Sequence, residues 1–258
     1  MVGPFVDVET LVAYRDLMHR LNSDYLDVRV SGPQLSADFR NQYLMNSRIT
    51  GIDDTDLILL VGSNPKVEAP VLNARIRKSV SVNGLEVALI GSAPNLSYDF
   101  LHLGNSPATL KELAHGSHPF FERLSKAELP MIIVGADVLE RRDAQGILNL
   151  VYELAAKTNL INEKENWNGV NILHKEAARV GALDLGITTQ KLAPDHKPKV
   201  VYLLGADNFR HEEIPEDAFV IYHGHTGDEG AYYADLIIPG SSYLERSGTF
   251  VNTDGRVQ

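Results

Sequence analysis

The sequence predicts an α/β protein, a mostly parallel sheet flanked by helices in a Rossmann-like three-layer arrangement. Three observations carry this. Short runs of Val, Ile and Leu hold few polar residues, the pattern of strands buried on both faces. Stretches of helical period fill the gaps between them. Four of the runs end at a glycine, Gly62, Gly91, Gly135 and Gly205, where the chain can leave a sheet edge at unusual φ or let another group approach closely.

Taken in order, Asp7–Leu21 reads as a helix, with Val8, Leu11, Val12, Met18 and Leu21 on one stripe and Asp7 as its N-cap. Leu57–Val61 is the first strand. Val67–Val80 follows as a helix whose Arg75, Arg77 and Lys78 favour the negative end of the helix dipole. Glu86–Ile90 and Met131–Val134 are the next strands. Asp143–Thr158 is a helix with the stripe Ile147, Leu148, Val151, Leu154 and Ala155, capped by Asp143. Between Asn166 and Ala182, Val170, Leu173, Ala177 and Val180 recur at helical spacing. Val200–Leu204, Ala218–Tyr222 and Asp235–Ile238 complete the strands, with right-handed crossovers expected throughout.

Gly62-Ser63-Asn64-Pro65 resembles Gly91-Ser92-Ala93-Pro94, and Gly135-Ala136-Asp137 recurs as Gly205-Ala206-Asp207. The irregular spacing excludes a solenoid. It predicts that each strand delivers a similar loop to the same sheet edge, the carboxyl edge where such sheets bind ligands.

Composition narrows the function. The chain has 258 residues and no Cys, so it forms no disulfide, zinc ribbon or catalytic thiol, and its own thiolates hold no iron–sulfur cluster. Its net charge of −10 disfavours nucleic acid and anionic membranes as partners. No segment reaches the roughly 20 apolar residues of a membrane span; the apolar runs are as short as Leu57–Val61 and Met131–Val134. Asp7 and Glu9 fall early and no basic region precedes them, unlike a signal peptide or presequence. Ser31–Ser36 and Leu185–Pro198 are the nearest linker candidates, and one domain over residues 1–258 is expected.

Candidate chemistry is sparse. None of the strand-end glycines has the Gly-x-Gly-x-x-Gly or P-loop pattern. The Gly62-Ser63-Asn64-Pro65 turn offers backbone N–H groups to an anion, but a tight βα turn explains it as well. His223 and His225, near Asp228 and Glu229, lack a fixed third metal ligand, and loop polarity is the better reading. His115 and His118 read as a helix end, and Asp53 and Asp54 as a solvated turn. Ser241 and Ser242 follow a strand without a nucleophile elbow. Asp137 and Asp207 read as caps of the next helices rather than ligand-polarising groups.

A resemblance adds what these patterns do not. Asp56–Pro65, continuing through Glu68 to Lys78, resembles the molybdopterin oxidoreductase fold and, more closely, the large iron–sulfur subunits of respiratory complex I. Leu89–Gly91 with His102–Gly104, Gly116–Pro119, Asn171–His174 with Ala182–Gly186, Leu203–Asp207, Tyr222–Gly230, Ala234–Gly240 and Gly248–Arg256 agree in order. The Asn73–Lys78 and Ala182–Gly186 stretches resemble mitochondrial members. The resemblance implies a structural, docking portion of that subunit, with electrons passing from NADH to ubiquinone through clusters held in an N-terminal ferredoxin-like part outside this segment. It implies other subunits of the peripheral arm as partners, and a place on the matrix side of the mitochondrial inner membrane. It implies no catalytic, cofactor-binding or metal-binding residue here, the Gly62–Asn64 loop being vestigial. A fragment of a molybdopterin-dependent enzyme and an independent small-ligand-binding α/β protein are the alternatives.

Overall fold

The computed structural model describes residues 1–28, 35–188 and 197–258. The linker candidates Ser31–Ser36 and Leu185–Pro198 lie largely outside these described residues. The described residues form two compact units, one from residues 1–28, 35–40, 176–188 and 197–258 and the other from residues 41–175. The first unit opens with helix α1 (Val8–Arg20), and Asp7 caps it as expected, its carboxylate accepting from Thr10 N at 2.8 Å.

The unit of residues 41–175 runs β1 (Leu57–Val61), α2 (Pro65–Glu68), α3 (Pro70–Asn83), β2 (Glu86–Ile90), β3 (Leu101–Gly104), α4 (Pro107–Ala114), α5 (Phe120–Lys126), β4 (Met131–Val134), α6 (Ala136–Leu139), α7 (Ala144–Lys157), the short antiparallel pair β5 (Ile161–Asn162) and β6 (Trp167–Asn168), and β7 (Val170–Ile172). Its five-stranded sheet is parallel in every pairing, in the order β3-β2-β1-β4-β7. β1 and β4 are buried at every position, as central strands covered on both faces must be. Ile58, Leu60, Leu89 and Ile133 pack with Leu72 and Ile76 of α3 and with Trp167, which donates Nε1–H to Pro130 O at 2.8 Å.

Three expectations change here. The helix over Val67–Val80 is broken at Ala69, whose φ of −150° leaves the helical region. Pro70 is the cause, because its ring crowds the preceding residue out of that conformation. The helix over Asn166–Ala182 is replaced by β6, β7 and one short helix. A Cβ on Gly169 would stand 2.1 Å from Pro130 O, and buried Asn171 ties the segment down, its Oδ1 accepting from Ser47 N and Oγ at 3.0 Å each. β4 has taken Val170–Ile172 as a strand partner, and tertiary pairing overrides the helical spacing. α7 buries the whole predicted stripe and Asp143 stands at its N-cap position, but its side chain makes no capping hydrogen bond. Both carboxylate oxygens of Asp143 are taken by Arg141, at 2.7 Å each.

The first unit resumes with α8 (Arg179–Asp184), β8 (Val200–Leu204), β9 (Phe219–Gly224), α9 (Glu229–Tyr232) and β10 (Leu236–Pro239). These three strands form a separate parallel sheet in the order β10-β9-β8. The Gly205 loop therefore leaves a different sheet from the loops at Gly62, Gly91 and Gly135, and the expected common edge is corrected. Recurring Gly-Ala-Asp marks a strand end but carries no information about which sheet the strand joins. Val201, Leu203, Val220 and Tyr222 face a core with Phe209, Ile214 and Ala231. On the alternate face Val200, Phe219 and Leu236 are 58%, 47% and 45% exposed.

Candidate functional site

In the five-stranded sheet the chain moves from β1 outward through β2 to β3, then returns to the other side of β1 for β4 and β7. The order reverses between β1 and β4, and the crevice beyond their carboxyl ends is where an open α/β sheet binds its ligand. Two predicted loops meet there, Gly62-Ser63-Asn64-Pro65 and Gly135-Ala136-Asp137.

The crevice is filled by the chain itself. Gly62 has φ +54°, and a Cβ on it would lie 2.4 Å from Val138 Cγ2. A Cβ on Gly135 would lie 2.3 Å from Gly62 O, so the two turns pack backbone to backbone. Two donors of the turn are also engaged by one carboxylate. Buried Ser63 donates its hydroxyl to Glu68 Oε2 at 3.0 Å, and Asn64 N–H donates to Glu68 Oε1 at 3.1 Å. The groups that would receive an anion already hold an internal carboxylate. Asp137 does not cap a helix with its side chain: it accepts from Lys175 Nζ at 2.6 Å, and Glu140 lies 3.7 Å from the same ammonium. Burial opposes the charge of Lys175, but the hydrogen bond and charge of Asp137, with Glu140 and Glu68 behind it, hold its pKa above the ordinary value.

These residues do not fit a phosphate-bearing pterin at this turn. A carboxylate already occupies Ser63 Oγ and the Asn64 N–H, and like charge repels phosphate there. Val138 takes the space beside Gly62. A chain without Cys likewise does not fit a thiolate-held cluster.

At the carboxyl edge of the three-stranded sheet, Asp207 accepts from Gly230 N at 2.9 Å and from Tyr222 Oη at 3.3 Å. It satisfies the start of α9, as a cap does, although that helix lies beyond β9 and is not the next element. Tyr222 also pairs with Thr226 Oγ1 at 3.2 Å, and burial leads the causes that raise its phenol pKa. His223 Nδ1 lies 3.1 Å from Tyr202 Oη, while His225 is exposed. Among the described residues, no group of three or more His, Cys, Asp or Glu stands together as metal ligands would. His115 and His118 lie at the junction of α4 and α5, and His118 Nδ1 accepts from Phe120 N at 3.1 Å. Asp53 pairs with Arg75. Ser242 Oγ accepts from Leu244 N at 3.2 Å within its own turn, and the carboxylate of Glu245 accepts from the backbone N of Ser242 at 3.2 Å.

Glu68, Val138 and Lys175 close the crevice, and the sequence reading assigned none of them a role there. The acid shortly after Pro65 was the available signal for Glu68, since a carboxylate in a first turn can fold back on free N–H groups.

The comparisons with known proteins agree with this fold. The mitochondrial NADH-ubiquinone oxidoreductase 78 kDa subunit of Candida albicans is 48% identical over 261 residues, covering 100% of this chain and 36% of the relative. The mitochondrial NADH dehydrogenase [ubiquinone] iron-sulfur protein 1 of Solanum tuberosum is 40% identical over 258 residues, covering 100% and 35%. The NADH-ubiquinone oxidoreductase 75 kDa subunit of Reclinomonas americana is 41% identical over 277 residues, covering 100% and 40%. The chain thus spans between about a third and two fifths of the length of these relatives. In the solved formyltransferase/hydrolase complex (FhcABCD) of Methylorubrum extorquens with methylofuran, one chain superposes with a TM-score of 0.65 at 15% identity, covering 100% of this chain and 84% of its own length. That likeness concerns the fold alone. The family pattern of molybdopterin oxidoreductase matches residues 1–258, the whole chain including both parallel sheets, and the chain belongs to the molybdopterin oxidoreductase family.

Proposed function

We propose that this chain is a structural, docking portion of the large iron–sulfur subunit of respiratory complex I. The observation that carries it is identity of 40–48% along the whole chain to the 75 and 78 kDa subunits of NADH:ubiquinone oxidoreductase. In this reading residues 1–258 belong to one molybdopterin oxidoreductase-like domain. Electrons pass from NADH to ubiquinone through clusters held elsewhere in the subunit, and this segment supplies neither ligands nor a reacting group. Its role is to cover and position the cluster-bearing part and to present surface to other subunits of the peripheral arm, on the matrix side of the mitochondrial inner membrane. The absence of Cys and the closed crevice between β1 and β4 support a redox-silent role. No helix among the described residues is long and apolar enough to cross a membrane.

The test is native electrophoresis of detergent-solubilised mitochondria from cells expressing the tagged chain. Migration of the tag with in-gel NADH dehydrogenase activity is the expected result. A tag found only as free monomer, or a purified chain carrying stoichiometric reducible iron, overturns the proposal. Release of a fluorescent pterin from the purified chain supports the molybdopterin-enzyme alternative instead.

A further inference from the structure

Helix α3 buries one side and leaves Val71, Ala74 and Val82 exposed on the other. Leu72, Asn73, Ile76 and Ser79 turn inward and are buried. Val71, Ala74, Lys78 and Val82 follow one another at steps of three, four and four residues, and all four are exposed. That spacing places them on one stripe of the helix, the geometry of a helix–helix contact seam. Val71 is 84% exposed and Val82 is 72% exposed, and Val67 in the preceding α2 is 73% exposed. Single exposed apolar residues need no explanation, but Val71, Ala74 and Val82 recur on one stripe of one helix, interrupted only by Lys78. Val is also a poor choice for an exposed helix position on propensity alone.

The charge of the stripe is as distinctive as its shape. The chain carries ten more acidic than basic residues, yet α3 contains no acid. Arg75 is paired with Asp53, whereas Arg77 and Lys78 are exposed and make no ion pair among the described residues. A second copy of the chain is disfavoured, because an isologous contact centred on this stripe would bring Arg77 and Lys78 close to their own symmetry mates. An anionic membrane is disfavoured by two cations on a chain of net charge −10.

We propose that the outer face of α3 is a docking seam for an acidic amphipathic helix of a neighbouring polypeptide. Val71, Ala74 and Val82 receive its apolar residues, Ala74 allowing close approach, while Lys78 within the stripe and Arg77 beside it meet Asp or Glu. The seam goes beyond the role proposed above and holds whichever assembly contains the chain.

Because the chain has no Cys, Val71→Cys creates a unique attachment point. The full tagged chain carrying benzophenone maleimide at that position is irradiated in an extract of the cells that make it, and the cross-linked peptide is mapped by mass spectrometry. The expected product is a single helix with Asp or Glu beside its apolar stripe. The yield should fall roughly fivefold to tenfold in the R77E/K78E chain and recover with R77K/K78R, as two exposed charge pairs allow. Cross-linking to a second copy, to lipid, to a strand or loop, or to no polypeptide overturns the proposal, as does a yield indifferent to R77E/K78E. Comigration with complex I is scored separately on the unlabelled chain, so failure there refutes the proposed function and leaves the seam to be decided by the cross-link map.

Discussion

The carboxylate of Glu68 reaches back across the start of α2 to the hydroxyl of Ser63, 3.0 Å from Oε2. A residue in the first turn of the helix thereby occupies the anion-receiving groups of its own preceding loop. Replacing Glu68 with Ala would leave the buried Ser63 hydroxyl and the Asn64 N–H without their partner. The expected cost is about 1–3 kcal/mol, read as a lower midpoint in urea unfolding. Glu68→Gln should recover part of it, since the amide keeps one acceptor oxygen. An unchanged midpoint in Glu68→Ala would show that the contact contributes nothing net.

The glycines at strand and helix ends are not equivalent. Gly62 combines φ +54° with Val138 Cγ2 at 2.4 Å from the position of a Cβ. Gly62→Val should destabilise the chain by about 3 kcal/mol or more, through backbone strain and overpacking together. Gly84, which ends α3 at φ +71°, has open space around it, so Gly84→Ala carries strain alone and should cost about 1 kcal/mol. Equal thermal shifts for the two variants would contradict this ranking.

Alkaline pH should weaken the fold. Burial pushes the phenol of Tyr14 well above its ordinary value of 10.0, with the neighbouring Tyr202 adding to it, and burial does the same for Tyr98. Above pH 10 the unfolded chain releases these protons while the folded chain retains them, so stability falls as pH rises. For Tyr14 the loss approaches about 1.4 kcal/mol per pH unit. Urea midpoints measured from pH 9 upward should decline, and Tyr14→Phe should flatten the decline. A slope identical in Tyr14→Phe would refute the assignment to this residue.

Trp167 is the sole tryptophan of the chain, buried between β4 and the Ile49–Asp53 turn, with Nε1–H on Pro130 O. Its fluorescence therefore reports on the unit of residues 41–175. Trp167→Phe should cost about 1–3 kcal/mol, from the lost hydrogen bond to a buried carbonyl and the incompletely filled space. Circular dichroism thermal melts read this without needing the indole, and an unchanged Tm would argue against it.

What was legible in the sequence follows from what each element depends on. β1, β2, β4 and β8 are apolar runs whose limits are set by their own residues, and they lie where the runs predict. The Asp7 cap is equally local. β7 and the break at Ala69 were not legible in the same way. β7 exists because β4 offers a strand edge and Asn171 anchors it through Ser47, contacts made across long stretches of chain. The break needed the local rule for a residue before proline, which helical periodicity conceals. Closure of the crevice was hidden for a third reason. The Gly-Ser-Asn-Pro turn reads the same whether its donors face a ligand or a carboxylate four residues on, and only the fold-back of Glu68 decides between them.

The uncovered strip of Val200, Phe219 and Leu236 sets how the purified chain behaves in concentrated solution. Molecules carrying ten excess negative charges repel one another, and at low salt that repulsion reaches about 30 Å. Physiological salt shortens its reach to about 8 Å, a distance at which apolar strips on two molecules can meet. Added salt should therefore promote clouding of the concentrated chain, and a turbidity series in salt reads it.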